Sequence, residues 1–239
     1  MIMDINTISL NPTAISRALG SVAFFLVLAS IGGQLSTFML GHDYVKGFVP
    51  LFNVSNERNI PTFFSVLLMI FAASLLAVIA MLNRKRKAPH VSKWIILSIG
   101  FFYMAYDEAF QVHELLVVPV RNLLGTPNFG ILYYAWVVPA IALVFVLALY
   151  FLQFLLHLPA KNRFTFLLAA ILYLGGCIGF ELIGGRYDEL HGSDNLTYNM
   201  ISTIEESLEM AGLIVFMYAL LVYIADNYMD IRFRFNKAM

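Results

Sequence analysis

The chain is short of charge. Asp, Glu, Lys and Arg make up 13% of its 239 residues, about half of the roughly 25% usual in soluble domains. Hydrophobic residues make up 60% and mean hydropathy is +0.79. That balance excludes a water-soluble globule of this length. Cysteine is nearly absent too: Cys177 stands alone, so no internal disulfide framework exists. In an apolar run its plainest reading is a small buried residue. The formal net charge is zero, so no overall field draws a nucleic acid. Phosphate-binding Gly-rich loops, nucleophile elbows and metalloprotease helices are missing. Bis-histidine haem ligation needs two histidines within spans, and His113 alone qualifies.

What the chain has instead is long apolar runs, each near the ~20 residues that cross a bilayer. Six are expected, at about 19–41, 62–82, 94–116, 131–157, 164–184 and 200–226. The fold class is therefore all-α: one polytopic bundle of six transmembrane helices. The first run follows a leader whose basic content is Arg17 and lacks a small-residue cleavage site, so it reads as a retained helix. Eleven of the fifteen basic residues fall on one side. They are Arg17, the loop residues Arg84, Lys85, Arg86, Lys87 and Lys93, then Lys161 and Arg163, then Arg232, Arg234 and Lys237. Lys46, Arg58, Arg121 and Arg186 fall on the other. The positive-inside rule makes both termini cytoplasmic.

The longest outer segment, 42–61, is interrupted by Pro50 and Pro61, and its Phe48, Leu51 and Phe52 suit a stretch lying in the membrane interface. Asn53 and Asn195 each begin a glycosylation triplet on an outer loop, a pattern without meaning in a bacterium. "YDE" occurs at 106–108 and again at 187–189, too short a match to imply duplication.

The acids are polarised. Asp4, Asp226 and Asp230 sit on the inner side; the other twelve lie in outer loops or outer halves of spans. Asp107, Glu108, His113 and Glu114 crowd the outer end of span 3, with Asp107 about 20 Å beyond Trp94 by helix rise. A continuous helix would put Asp107, Gln111 and Glu114 on one stripe. On span 6, Ser202, Glu206 and Glu209 share a face with Glu205 beside it, and Glu181 approaches from span 5. Plainer readings exist. Glu205 and Glu206 fit first-turn acids of capping boxes begun by Ser202 and Thr203. Asp107 and Glu108 fit ion pairs with Arg121 or Arg186. His113 and Glu114 fit a wet helix end. His42, His90 and His157 read as interfacial, and His191 is open between ligand and exposed side chain. Still, so many acids facing so few bases cannot all stay ionised at close range, so protons or a cation must neutralise them.

Carboxylates with an imidazole suit iron, manganese or zinc, and carboxylates alone suit calcium or magnesium. The expected metal ligands are Asp107, Glu108, His113, Glu114, Glu181, Glu205, Glu206 and Glu209, with oxidoreductase chemistry as a possible use. The Glu-x-x-His spacing of di-iron bundles is missing, since Glu108 and His113 stand five apart. Two alternatives stand beside a metal site. One is proton or cation transport, against which the inner halves of the spans are apolar. The other is an accessory subunit pairing its acids with a membrane-protein partner or a second copy. Gly175, Gly176 and Gly179 permit close helix approach.

"FNVSNERNIPTFFSVLLM" at 52–69, "YDEAFQVHE" at 106–114 and "EESLEMAG" at 205–212 resemble a group of uncharacterised bacterial multipass membrane proteins. That group has an "NIPT" entry to the second span, a "DE-x4-HE" helix and a late Glu-rich helix. The resemblance implies a bacterial inner membrane and an acidic zone facing the periplasm, and it implies no activity.

Overall fold

A computed structural model describes residues 10–56, 58–125 and 129–228. Asp4, Glu57, Asp230 and the basic tail residues Arg232, Arg234 and Lys237 lie outside them. The described chain is helical: α1 (Pro12–Leu40), α2 (Phe48–Phe52), α3 (Ile60–Lys85), α4 (Val91–Phe110), α5 (Val117–Leu124), α6 (Val137–His157), α7 (Ala160–Leu174), α8 (Glu181–His191) and α9 (Leu196–Asn227). A π-helical turn, Gly175–Phe180, joins α7 to α8 without a break. Five helices are long and apolar enough to cross a membrane: α1, α3, α6, the continuous 160–191 helix and α9. α4 is not among them by that measure, and carries Lys93, Asp107 and Glu108.

Side-chain caps set the starts. Asn11 accepts from the Thr13 and Ala14 amides, with Pro12 opening α1, and Gly41 closes it with φ 71°. The "NIPT" stretch is a capping module. Asn59 Oδ1 accepts from the Thr62 amide and hydroxyl, Pro61 occupies a first-turn position that requires no donor, and Asn59 Nδ2 donates to the Asn53 and Asn56 carbonyls. α9 begins earlier than expected, because Asn195 Oδ1 accepts from the Tyr198 amide. Glu205 and Glu206 therefore lie in its third turn and are not first-turn acids. Asn53 and Asn195, the two glycosylation-type residues, both hold the structure together through their own amides.

α3 and α9 form the centre. Leu68, Met69, Ala72, Leu76 and Ile79 on α3, Trp94 on α4, and Met210, Leu213, Met217 and Leu220 on α9 make one buried core. α4 packs along α3, while α1 and α7 flank α9. α6 is apolar all round, yet Phe145, Leu149 and Leu152 stay half or more exposed, as a lipid-facing helix requires. Where α7 crosses α9 the backbones touch. A Cβ on Gly212 would lie 2.6 Å from the Tyr173 amide nitrogen and 2.9 Å from the Ala169 carbonyl oxygen.

The two ends differ in charge. Arg86 donates to the Asn227 carbonyl and covers the Tyr228 ring, Lys161 stands 4.0 Å from Asp226, and Lys93 reaches the Tyr150 carbonyl. These contacts gather the 84–93 loop, the start of α7 and the end of α9 at one basic end. Gly212→Ala is expected to lower stability by about 1–3 kcal/mol, because backbone atoms cannot yield as a flexible side chain would. Gly20→Ala, where a Cβ meets nothing within 4 Å, is the neutral reference in thermal unfolding of the detergent-purified protein.

Candidate functional site: a carboxyl cluster at the acidic end

Two backbone irregularities build the site. The first ends α4 at Phe110, six residues short of the expected 116. Gln111 adopts φ 55°, ψ 42°, and its amide donates to the Asp107 carbonyl. The Asp107 carboxylate then accepts twice from His113, from the amide at 2.8 Å and from Nδ1 at 2.9 Å. Residues 113–116 form a separate 3-10 turn, so the expected Asp107–Gln111–Glu114 stripe does not exist. The break has a consequence for the His113 ring. It packs on Trp136 with centroids 4.5 Å apart and comes within electrostatic reach of Glu108, Glu181 and Glu114.

The second irregularity is the π turn, which adds a residue to one turn of the helix and resets the face on which Glu181 emerges. Gly176 in this turn lies against α9: a Cβ there would sit 2.7 Å from the Glu205 carbonyl oxygen and 2.9 Å from the Glu209 Cγ. Gly175 and Gly179 face open space, so of the three glycines Gly176 makes the close approach. Glu181 is thereby brought to Glu205, and their carboxyl groups share a hydrogen bond. Trp136 Nε1 donates to Glu181 Oε1 at 2.7 Å. Glu209 accepts from the Tyr173 hydroxyl. Glu206 and Glu108 lie within electrostatic reach of Glu209, and Cys177 feels Glu209, Glu205, Glu181 and Glu108.

Five glutamates from three helical segments thus face one another: Glu108, Glu181, Glu205, Glu206 and Glu209. Asp107, His113 and Glu114 stand at their rim. Among the described residues no three His, Cys, Asp or Glu side chains are disposed to hold a metal ion as they stand. Two carboxyl groups in such contact cannot both stay ionised without a proton or a cation between them.

The nearby bases are engaged elsewhere. Arg121 donates through Nε and Nη2 to the Tyr133 carbonyl and lies on the Phe129 and Tyr133 rings. Arg186 pairs with Glu189 at 2.5 Å. The ion pairs expected of Asp107 and Glu108 with these arginines are not formed; Asp107 pairs with His113.

The second "YDE" does different work from the first. Glu189 Oε1 accepts from the Phe129 and Gly130 amides, and Asp188 accepts from the Tyr134 hydroxyl at 2.7 Å. Together they tie the segment before α6 over the cluster. Gly185 allows Tyr134 to lie against α8, where a Cβ would meet the ring at 2.9 Å. Burial pushes the Tyr134 phenol well above its ordinary value, and the Tyr198 and Asp188 contacts add to it. Tyr134 is therefore neutral and donates to Asp188, leaving Tyr198 as donor to Tyr134 across 2.8 Å. His191 stacks on Tyr187 one turn back, centroids 4.6 Å apart, as an ordinary helical pair.

Sequence reasoning missed Trp136, Tyr173 and Gly176 as parts of the site. Trp136 carried a signal, a donor-bearing ring at the mouth of an apolar helix.

The family described as a domain of unknown function (DUF8692) matches residues 18–224 of the chain. No curated protein and no solved structure matches it.

Trp136→Phe keeps the ring packing but removes the donor to Glu181. It is expected to lower stability by about 1–3 kcal/mol, the usual result of leaving a buried acceptor without its partner, measured as thermal unfolding against wild type. A variant as stable as wild type would show that the contact contributes nothing.

Proposed function

The chain belongs to the DUF8692 family, a membership that brings no activity with it, and from its own residues we propose that this is an integral membrane protein with a cation site in the outer half of the bilayer. In this reading α4 is the sixth span: its 20 residues extend about 30 Å, enough for the hydrocarbon core. Both termini face the cytoplasm, since the basic loops gather at one end, and the membrane is a bacterial inner membrane.

The observation that carries the proposal is the convergence of Glu108, Glu181, Glu205, Glu206 and Glu209, with Arg121 and Arg186 committed elsewhere. Carboxylates this close in a medium of low dielectric must be neutralised. A proton between Glu181 and Glu205 does so in the arrangement described above. The physiological alternative is a divalent metal, which displaces that proton and draws the Glu209 or Glu206 carboxylate toward the pair, with His113 as the one imidazole within reach. Iron, manganese or zinc suit that set, and calcium or magnesium suit the carboxylates without His113. Iron or manganese would open the site to oxidoreductase chemistry. Binding is favoured over through-transport because Leu76, Ile79, Met217 and Leu220 on α3 and α9, between the cluster and the basic end, are fully buried.

The test is equilibrium dialysis of the detergent-purified protein against Mn2+ or Zn2+, with bound metal read by elemental analysis. A stoichiometric ion is expected, bound more tightly as pH rises and the shared proton leaves, and lost in Glu181→Gln and Glu205→Gln. A folded wild type that binds neither metal at any pH from about 6 to 9, a range above the ordinary carboxylate values and including that of imidazole, sinks the metal reading.

A further inference from the structure

A second polar feature lies outside the carboxyl cluster. At the acidic end, between α1, α2 and the start of α9, a cavity of about 480 Å³ opens outward. That is within the roughly 300–1,000 Å³ usual for small-molecule sites. Its floor is built and rigid. Gln34, 1% exposed, donates to Asn53 Oδ1 and to Thr203 Oγ1, each at 2.9 Å, and accepts from the Thr203 hydroxyl. Asn53 in turn reaches Asn199, and Ser55 donates to the Asn199 carbonyl. This network ties α1 to the 53–55 turn and to α9, so the cavity is held open by bonds within its own walls.

The groups left over face a ligand. Asp43 and Asp194 border the cavity, both exposed and, among the described residues, neither with a hydrogen bond or ion pair. The Asn56 side-chain amide and the Ser193 hydroxyl are likewise unengaged. None of the fourteen lining residues is Lys, Arg or His. An anionic ligand would meet two carboxylates and no base. A purely apolar one would strip water from amides and hydroxyls without replacing its bonds. A bare metal ion would leave most of the volume empty.

We propose that this cavity binds a small hydroxylated amine, of the amino-sugar or amino-alcohol class. The ammonium group lies at the Asp43 and Asp194 rim, and the hydroxyls bond to Asn56 and Ser193. The ring of Phe38 offers an apolar wall for the carbon skeleton. The site does not depend on the carboxyl cluster, and stands whether or not that cluster takes a metal.

The experiment is isothermal titration of the full-length protein in detergent, in a phosphate buffer free of amines, because Tris itself is a hydroxylated amine. Glucosamine is the probe, with glucose as the neutral comparison and glucuronate as the anionic one. Saturable binding of glucosamine is expected, about tenfold or more weaker for glucose and lost for glucuronate; a tenfold change is 1.4 kcal/mol. The Asp43→Asn, Asp194→Asn double variant, altered only at exposed positions, is expected to bring glucosamine down to the glucose level. Asn56→Leu is expected to weaken both sugars. Three outcomes would overturn the proposal: glucuronate binding as well as glucosamine, glucosamine binding unchanged in the double variant, or no heat from any of the three with folded protein at about 10 mM ligand, weaker than millimolar recognition.

Discussion

The acidic half of this bundle depends on one contact, the seating of the π turn against α9 at Gly176. Without a side chain at that position the 160–191 helix comes close enough for its backbone to lie on the Glu205–Glu209 turn. The π turn then sets the rotation at which Glu181 meets Glu205. Either feature alone is insufficient. A close approach with ordinary α geometry would present a different face of the helix, and a π turn held away from α9 would leave Glu181 short of its partner. Trp136 completes the arrangement from a third direction by fixing one Glu181 oxygen.

This geometry concentrates negative charge where the surrounding medium tolerates it least. Toward the basic end the interior is an apolar core around Leu76, Trp94, Met217 and Leu220, and the carboxyl groups crowd toward the acidic end. The basic contacts at the opposite end, Arg86 on Asn227 and Lys161 near Asp226, close the bundle there.

Much of this was legible in the sequence, and the limits of legibility have physical causes. Hydropathy located the helices because a bilayer imposes a length and an apolar composition on whatever crosses it. The polarity of the acids followed from the same partition. Boundaries erred where a single polar side chain outweighed apolar continuation. Asn195 starts α9 in a stretch whose hydropathy is still low, and Asp107 stops α4 by capturing His113, with Gln111 taking the left-handed conformation. The π turn was out of reach, since one extra residue in a helical turn leaves no periodic trace within a run as uniformly apolar as 164–180. The roles of the two "YDE" stretches diverge for a related reason. Both stretches end two residues before a helix end, α4 at Phe110 and α8 at His191, so the difference comes from what meets them: His113 folds back onto Asp107, whereas Asp188 and Glu189 meet Tyr134 and the 129–130 amides and anchor that segment.

The anchoring itself decides which charges are left to face the cluster. The chain from 129 to 134 is held to α8 by Glu189 through two backbone amides and by Asp188 through Tyr134, while Arg121 grips the Tyr133 carbonyl from α5. None of these acids or bases faces the glutamate cluster as a counter-ion. Their charges are spent on loop geometry, and this is why the cluster keeps its excess of carboxyl groups although two arginines stand nearby. The same strap carries Tyr134 to Tyr198, whose hydroxyl also bonds to Ser202, one turn before Glu205 and Glu206. The hydroxyls of Tyr198 and Ser202 thus stand on α9 between the cavity that Tyr198 lines and the turn that carries Glu205 and Glu206.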